Sequence, residues 1–288
     1  MNVLGNLYLL YVGIATAAIG ILGFVIYINK RHSITHLNFL LLSLVSIIWG
    51  AVNYLSFVVE DLFGVLWLIR LTMFFGVWYA FSVFNLFYVF PKEKVSFSRN
   101  YKWIFFPLVS MTAFLALTPL VVEKISEVSG VNASIAMQNG PAIVLYGVLV
   151  LSLILSAFYI IIRKTYLAKH EERTQFLLIL LGSVVTFTLI IISNFILPAF
   201  FNLTNYIPLG PVFLLPFVIF TFYAVLRHNL LDVKVISTEV VTFFLVIAAF
   251  LQILLSESVG EAVFQVSIFV LLLIFSALLI RSVIREVR

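Results

Sequence analysis

Long, nearly charge-free apolar runs recur along this chain from end to end, and few folds survive that constraint. About 20 apolar residues cross the hydrocarbon core of a bilayer. On that measure the sequence predicts nine spans: Val3–Ile28, Leu37–Val59, Leu62–Phe90, Ile104–Val122, Ala142–Ile162, Phe176–Phe200, Pro211–Leu226, Val240–Leu255 and Val263–Ile280. Continuous runs of this length read as helices, because an open sheet edge leaves backbone groups unsatisfied in lipid. The expected fold is an all-α, polytopic integral membrane helix bundle. Its domains are a seven-helix membrane region over residues 1–236, then two further spans and a cytoplasmic exit helix over 237–288.

Composition agrees. The chain is 64% hydrophobic and 10% charged, whereas soluble domains carry about 25% charged residues. No stretch is polar enough for a separate soluble domain, so lipid is the expected solvent and the first partner. The net charge of +5 does not point to nucleic acid, since the basic residues sit in short clusters between apolar runs. One set of alternate loops holds Lys30, Arg31, Lys92, Lys94, Arg99, Lys102, Arg163, Lys164, Lys169, Arg173, Arg227, Lys234, Arg281, Arg285 and Arg288. The other set holds Lys124, and Arg70 falls within a span. Positive residues stay on the cytoplasmic side, which predicts the N-terminus outside, the C-terminus inside, and a multi-pass protein of the plasma membrane.

The usual signatures of chemistry are missing. The 13 glycines include no G-x-G spacing, so there is no phosphate-cradling loop. With no cysteine, thiol chemistry and Cys-based zinc sites are excluded. The histidines, His32, His36, His170 and His228, form no H-E-x-x-H pair, so a zinc protease is not indicated. The stretch His170-Glu-Glu-Arg-Thr174 resembles a phosphoacceptor box. Glu172 stands where that box has an apolar residue and Gln175 where it has proline, and the stretch is read as a solvated loop. No cofactor is expected.

Polar residues inside spans are the remaining signal, because ionisable groups in lipid are costly and mark interior or functional positions. Arg70 lies about eight residues into the third span, ~12 Å from its outer end. Asn53 and Asn194 fall ~9 Å from the outer ends of the second and sixth. These three are the candidate ligand- or signal-binding residues. The competing account is interhelical hydrogen bonding, with Arg70 reaching outward to Asp61. Aromatics crowd the third span from Phe74 to Tyr88 and read as packing or lipid-facing surface. At the chain's end, Ile280, Ile284 and Val287 form an apolar seam among arginines. The seam suggests an amphipathic helix passing a signal onward, and it admits a homodimer.

The segment Tyr223-Ala-Val-Leu-Arg-His-Asn-Leu-Leu-Asp-Val-Lys-Val-Ile236 resembles the inner end of the seventh span in the N-terminal seven-helix region of bacterial sensor histidine kinases. Tyr223, Arg227, His228, Leu231 and Asp232 carry that likeness. Arg173-Thr-Gln175, Asn194 with Pro198, Leu209-Gly-Pro211, and Arg70 followed by Pro91 are similar to the same pattern. What the resemblance implies is a sensory half that signals to a cytoplasmic kinase or other effector. No kinase core follows Arg288 in this sequence, so the chain itself is not expected to be an enzyme. The stimulus would be an unknown small ligand or membrane signal. A small-molecule transporter or channel is the alternative, but the inner half offers mainly Ser43, Ser46 and Asn85 as polar groups.

Overall fold

The computed structural model describes residues 3–29, 31–59, 61–127, 136–197 and 206–227. The chain divides into two units, Met1–Val225 and Leu226–Arg288, and the helix bundle is the first of them. Among the described residues seven α-helices run in order: α1 Val3–Asn29, α2 Ile34–Val58, α3 Leu62–Val89, α4 Phe106–Ala116, α5 Ile143–Leu167, α6 His170–Ile191 and α7 Gly210–Arg227. A π-helical turn, Tyr101–Phe105, leads into α4, and another, Ile192–Ile196, prolongs α6. A 3₁₀ turn, Ile207–Leu209, opens α7. The eighth and ninth predicted spans and the seam at Ile280, Ile284 and Val287 lie outside the described residues.

Six of the helices are long and apolar enough to cross a membrane. Large apolar side chains are exposed over their outer faces, among them Phe63, Val144, Tyr159 and Ile219. A water-soluble protein rarely leaves so much contiguous apolar surface open. This is a multi-pass membrane protein.

Short connections at 59–61 and 168–169 force antiparallel neighbours. Helix α3 packs on α2, α4 and α5, while α1 packs on α2 and α5 on α6. The helix ends are closed by specific partners. Asp61 caps α3 by accepting from Gly64 N at 2.8 Å. The start of α2 is satisfied by the α3–α4 connection: Ile34 N donates to the Glu93 carbonyl at 2.9 Å and Thr35 Oγ1 to the Lys92 carbonyl at 2.7 Å. The Phe90–Pro91 peptide at the end of α3 is cis.

Three local readings of the sequence need correction. The fourth span stops at Ala116 rather than Val122. Thr118 precedes Pro119 and the α conformation is disfavoured before proline, while the Thr118 hydroxyl takes the Leu115 carbonyl at 2.7 Å. The apolar run through Leu120 and Val122 therefore enters a turn and a strand. Second, the 123–141 loop carries an antiparallel hairpin, β1 Val122–Glu127 with β2 Ala136–Asn139, pairing Lys124 with Gln138 and Ile125 with Met137. Third, His170–Gln175 is no loop, because α6 begins at His170.

The aromatics of α3 pack inward on α4. Trp78, Phe81 and Phe84 contact Phe105 and Phe106, with ring centroids between 5.1 and 6.0 Å. Phe97 stacks on Tyr101 at 4.5 Å, which in turn stacks on Tyr88 at 6.3 Å. Such pairs add about 0.5–1.5 kcal/mol each beyond burial, so this seam is the rigid side of the bundle.

Candidate functional site

Side chains on a helix lean toward its N-terminus, which for α3 is the end near the hairpin. Arg70 is 6% exposed and reaches that way. Its Nε and Nη2 donate to the Val122 carbonyl at 3.2 and 2.9 Å, and Nη2 also approaches the Glu123 carbonyl at 3.4 Å. The guanidinium lies 5.5 Å from the centre of the Trp67 ring. Arg70 thus fastens the base of β1 to α3. Asp61 is occupied as the α3 cap.

Asn53 serves another segment. Its Nδ2 donates to the Ile207 carbonyl at 3.1 Å, tying α2 to the 3₁₀ turn that opens α7. Asn194 lies in the π-helical turn Ile192–Ile196, and its side chain is outside the described residues. Arg70 and Asn53 therefore act at the same end of the bundle, one on the hairpin and one on α7.

One turn inward of Asn53 on α2 sits a group that sequence reasoning did not single out. The Trp49 indole stacks on Tyr79, with centroids 6.1 Å apart. It also lies over Gly210, where an added Cβ would meet Cη2 at 2.8 Å, so any side chain at 210 would push the indole aside. Tyr79 is buried, and its hydroxyl has no hydrogen-bond partner among the described residues. Tyr146 Oη, from α5, donates to the Met73 carbonyl at 3.1 Å. Nothing in the spacing of these residues marks them, because they come from four helices.

Helix α7 contains Pro216. A proline inside a helix removes one hydrogen bond and loosens the ladder around it. Here the Phe217 N–H donates to Thr186 Oγ1 of α6 at 3.0 Å. The close approach depends on Gly182, where a Cβ would come within 2.8 Å of Phe220 Cβ and 3.1 Å of the Pro216 carbonyl. Phe217 also packs edge-on against Phe87 of α3 at 5.8 Å. A further turn or two past this kink the helix reaches the motif segment. Tyr223 faces outward while Ala224 and Val225 are buried. Arg227 ends α7, and His228, Leu231 and Asp232 lie outside the described residues.

At the opposite end of the bundle Lys164 of α5 closes the C-terminus of α3. Its Nζ donates to the carbonyls of Phe87, Tyr88 and Phe90 at 2.7, 2.9 and 2.5 Å. Several polar groups of this half are internally satisfied, whereas the buried Gln175 Oε1 and Thr221 Oγ1 have no hydrogen-bond partner among the described residues. Ser43 and Ser46 bond to the Phe39 and Leu42 carbonyls of their own helix at 2.9 and 2.7 Å, and Asn85 accepts from Tyr101. No cluster of three metal-ligating side chains occurs among the described residues. The arrangement offers binding and mechanical linkage.

No curated protein and no solved structure matches the chain. A family does: the one described as the N-terminal 7TM region of histidine kinase matches residues 10–234, more than three-quarters of the 288 residues. With its seven helices and the Tyr223–Asp232 segment inside that match, the chain belongs to the family of N-terminal 7TM regions of histidine kinases.

Proposed function

We propose that this chain is the sensory input half of a two-component system, taking a signal at the hairpin end of its bundle and delivering it through α7 to a cytoplasmic kinase or other effector. On this reading the hairpin lies outside the cell and the basic loops inside, as the distribution of Lys and Arg indicates. Residues 1–236 form the sensory unit, and 237–288 carry the signal onward to the seam of Ile280, Ile284 and Val287. Arg70, Asn53 and Asn194 are the residues nearest the signal. The chain's own part is input, with phosphoryl transfer left to the effector.

The observation that carries this reading is the linkage of α7. One end is tied to α2 by the Asn53–Ile207 bond, the middle is kinked at Pro216 and held by Thr186, and the far end runs into the family motif. A change at the hairpin end therefore has a route to the basic end. Transport is disfavoured by the inner half, where Ser43, Ser46 and Asn85 bond within the bundle. A ligand shifts such a bundle only by binding one arrangement better than another.

The test is a fusion of a histidine-kinase core after Arg288, reconstituted in nanodiscs, with one to seven residues inserted at the junction. Autophosphorylation should rise and fall with helical period as the insert grows. Output indifferent to the insert's length would sink the transmission route.

A further inference from the structure

Arg70 is fastened but not neutralised. A guanidinium presents five N–H donors in a planar fork. Three of them, on Nε and Nη2, go to the Val122 and Glu123 carbonyls, and the bond to Glu123 is the longest at 3.4 Å. Nη1 makes no hydrogen bond among the described residues. No carboxylate pairs with the charge there either. Asp61 caps its own helix, and the Glu123 carboxylate lies 4.0 Å from Lys124. An arginine that is 6% exposed and meets only two carbonyls and the Trp67 ring among the described residues carries its charge at high cost in a membrane. A glutamine would supply donors to the same carbonyls without that cost. The charge therefore asks for a partner that the described residues do not supply.

We propose that the Nη1–Nη2 edge of Arg70 binds a singly charged, two-oxygen anion, a carboxylate or a phosphodiester, that takes the place of the Glu123 carbonyl. Two equivalent oxygens match the two parallel N–H groups of that edge. A single charge fits because the one lysine on β1, Lys124, already sits beside Glu123. The anion carries an apolar body, because Trp67 lies one turn nearer the helix start, with its ring 5.5 Å from the guanidinium and its surface 40% exposed. Binding loosens β1 from α3, which converts occupancy into movement of the hairpin. This deepens the sensory reading and rests on it for its purpose, though the binding itself is measurable without any kinase.

The full chain is placed in dodecyl maltoside micelles, which carry no anion, and its melting temperature followed against octanoate, with octanamide as the uncharged control. A second series adds phosphatidylglycerol to the micelles. The expected result is saturable stabilisation by octanoate or by phosphatidylglycerol, none by octanamide, and affinity at least about tenfold lower in Arg70→Gln. Response to octanoate in lipid-free micelles identifies a free carboxylate; response to phosphatidylglycerol alone identifies a lipid headgroup. If Arg70→Gln does not fold, hydrogen exchange on the unaltered chain decides: the bound anion should speed exchange in β1, Val122–Glu127. Equal affinity in Arg70→Gln, equal stabilisation by octanamide, or no anion effect on stability and on β1 exchange overturns the proposal. Anion binding with a kinase fusion that ignores it would instead overturn the sensory reading and leave this site standing.

Discussion

Replacing Lys164 by methionine keeps the apolar stem and removes the ammonium that closes the C-terminus of α3. Three carbonyls, of Phe87, Tyr88 and Phe90, then lose a donor at 2.5–2.9 Å. Counted singly, hydrogen bonds to a charged group contribute about 1.5–3 kcal/mol each, but three bonds to one ammonium are not additive. Lys164 is only partly buried, and water at a helix end replaces much of what is lost. The better scale is a cation at a partly buried helix C-terminus, up to ~2 kcal/mol. For a chain of this size ~1 kcal/mol moves the melting temperature by about 2–4 °C. At that upper figure, Lys164→Met should melt about 4–8 °C lower in detergent or nanodiscs. Lys169→Met is the control, because its side chain is exposed and it serves the next helix through its carbonyl alone. A Lys164→Met protein that melts with the Lys169→Met control would refute the clamp.

At the kink, Thr186→Val keeps the shape but removes the acceptor of the Phe217 N–H. It should cost about 1–2 kcal/mol and speed exchange of the Phe217 amide, while Thr186→Ser should restore protection; an amide equally protected in all three would show that Thr186 does not hold the hinge. For orientation, cysteine tags at Ser129 and Gly260 should label from outside intact cells, and tags at Ser96 and Lys169 only after permeabilisation. The opposite pattern would overturn the outside–inside assignment.

Hydropathy located α1, α2, α3, α5 and α7 to within a few residues because burial in lipid is a local property of sequence. It misplaced the end of α4, since Leu117 to Val122 are as apolar in a turn and strand as in a helix. There the Thr118–Pro119 pair was the better guide. It also missed the hairpin, whose stretch Val-Glu-Lys-Ile-Ser-Glu has only two apolar residues, three apart, and so lacks the alternation that marks a strand. Arg70 was conspicuous as a charge in a span, yet its partners are backbone carbonyls, which carry no residue-type signal. The Trp49–Tyr79–Gly210 contact and the Thr186–Phe217 bond were invisible for a different reason. Each joins residues about 30 or more positions apart in sequence, and neither tryptophan nor threonine is unusual in an apolar helix.

Which helix moves depends on the unequal strength of these ties. Helix α3 is held at one end by Arg70 on the hairpin and at the other by Lys164 on its last carbonyls, both through charged donors. Between them its aromatics lock onto α4. Helix α7 is held by neutral contacts, the Asn53–Ile207 and Thr186–Phe217 hydrogen bonds, the Phe87–Phe217 ring contact and the close approaches at Gly182 and Gly210. Neutral interhelical bonds in membranes average only about 0.6 kcal/mol. The hydrogen bonds of α7 are thus the ties that a ligand preferring one arrangement by about 1–3 kcal/mol, the usual scale of coupling between sites, can exchange. To displace α3, the same ligand would have to oppose both charged ties and the aromatic seam together. On the sensory reading proposed above, α7, the helix that ends in Tyr223–Arg227, is the element that a signal at the hairpin end would move against α3.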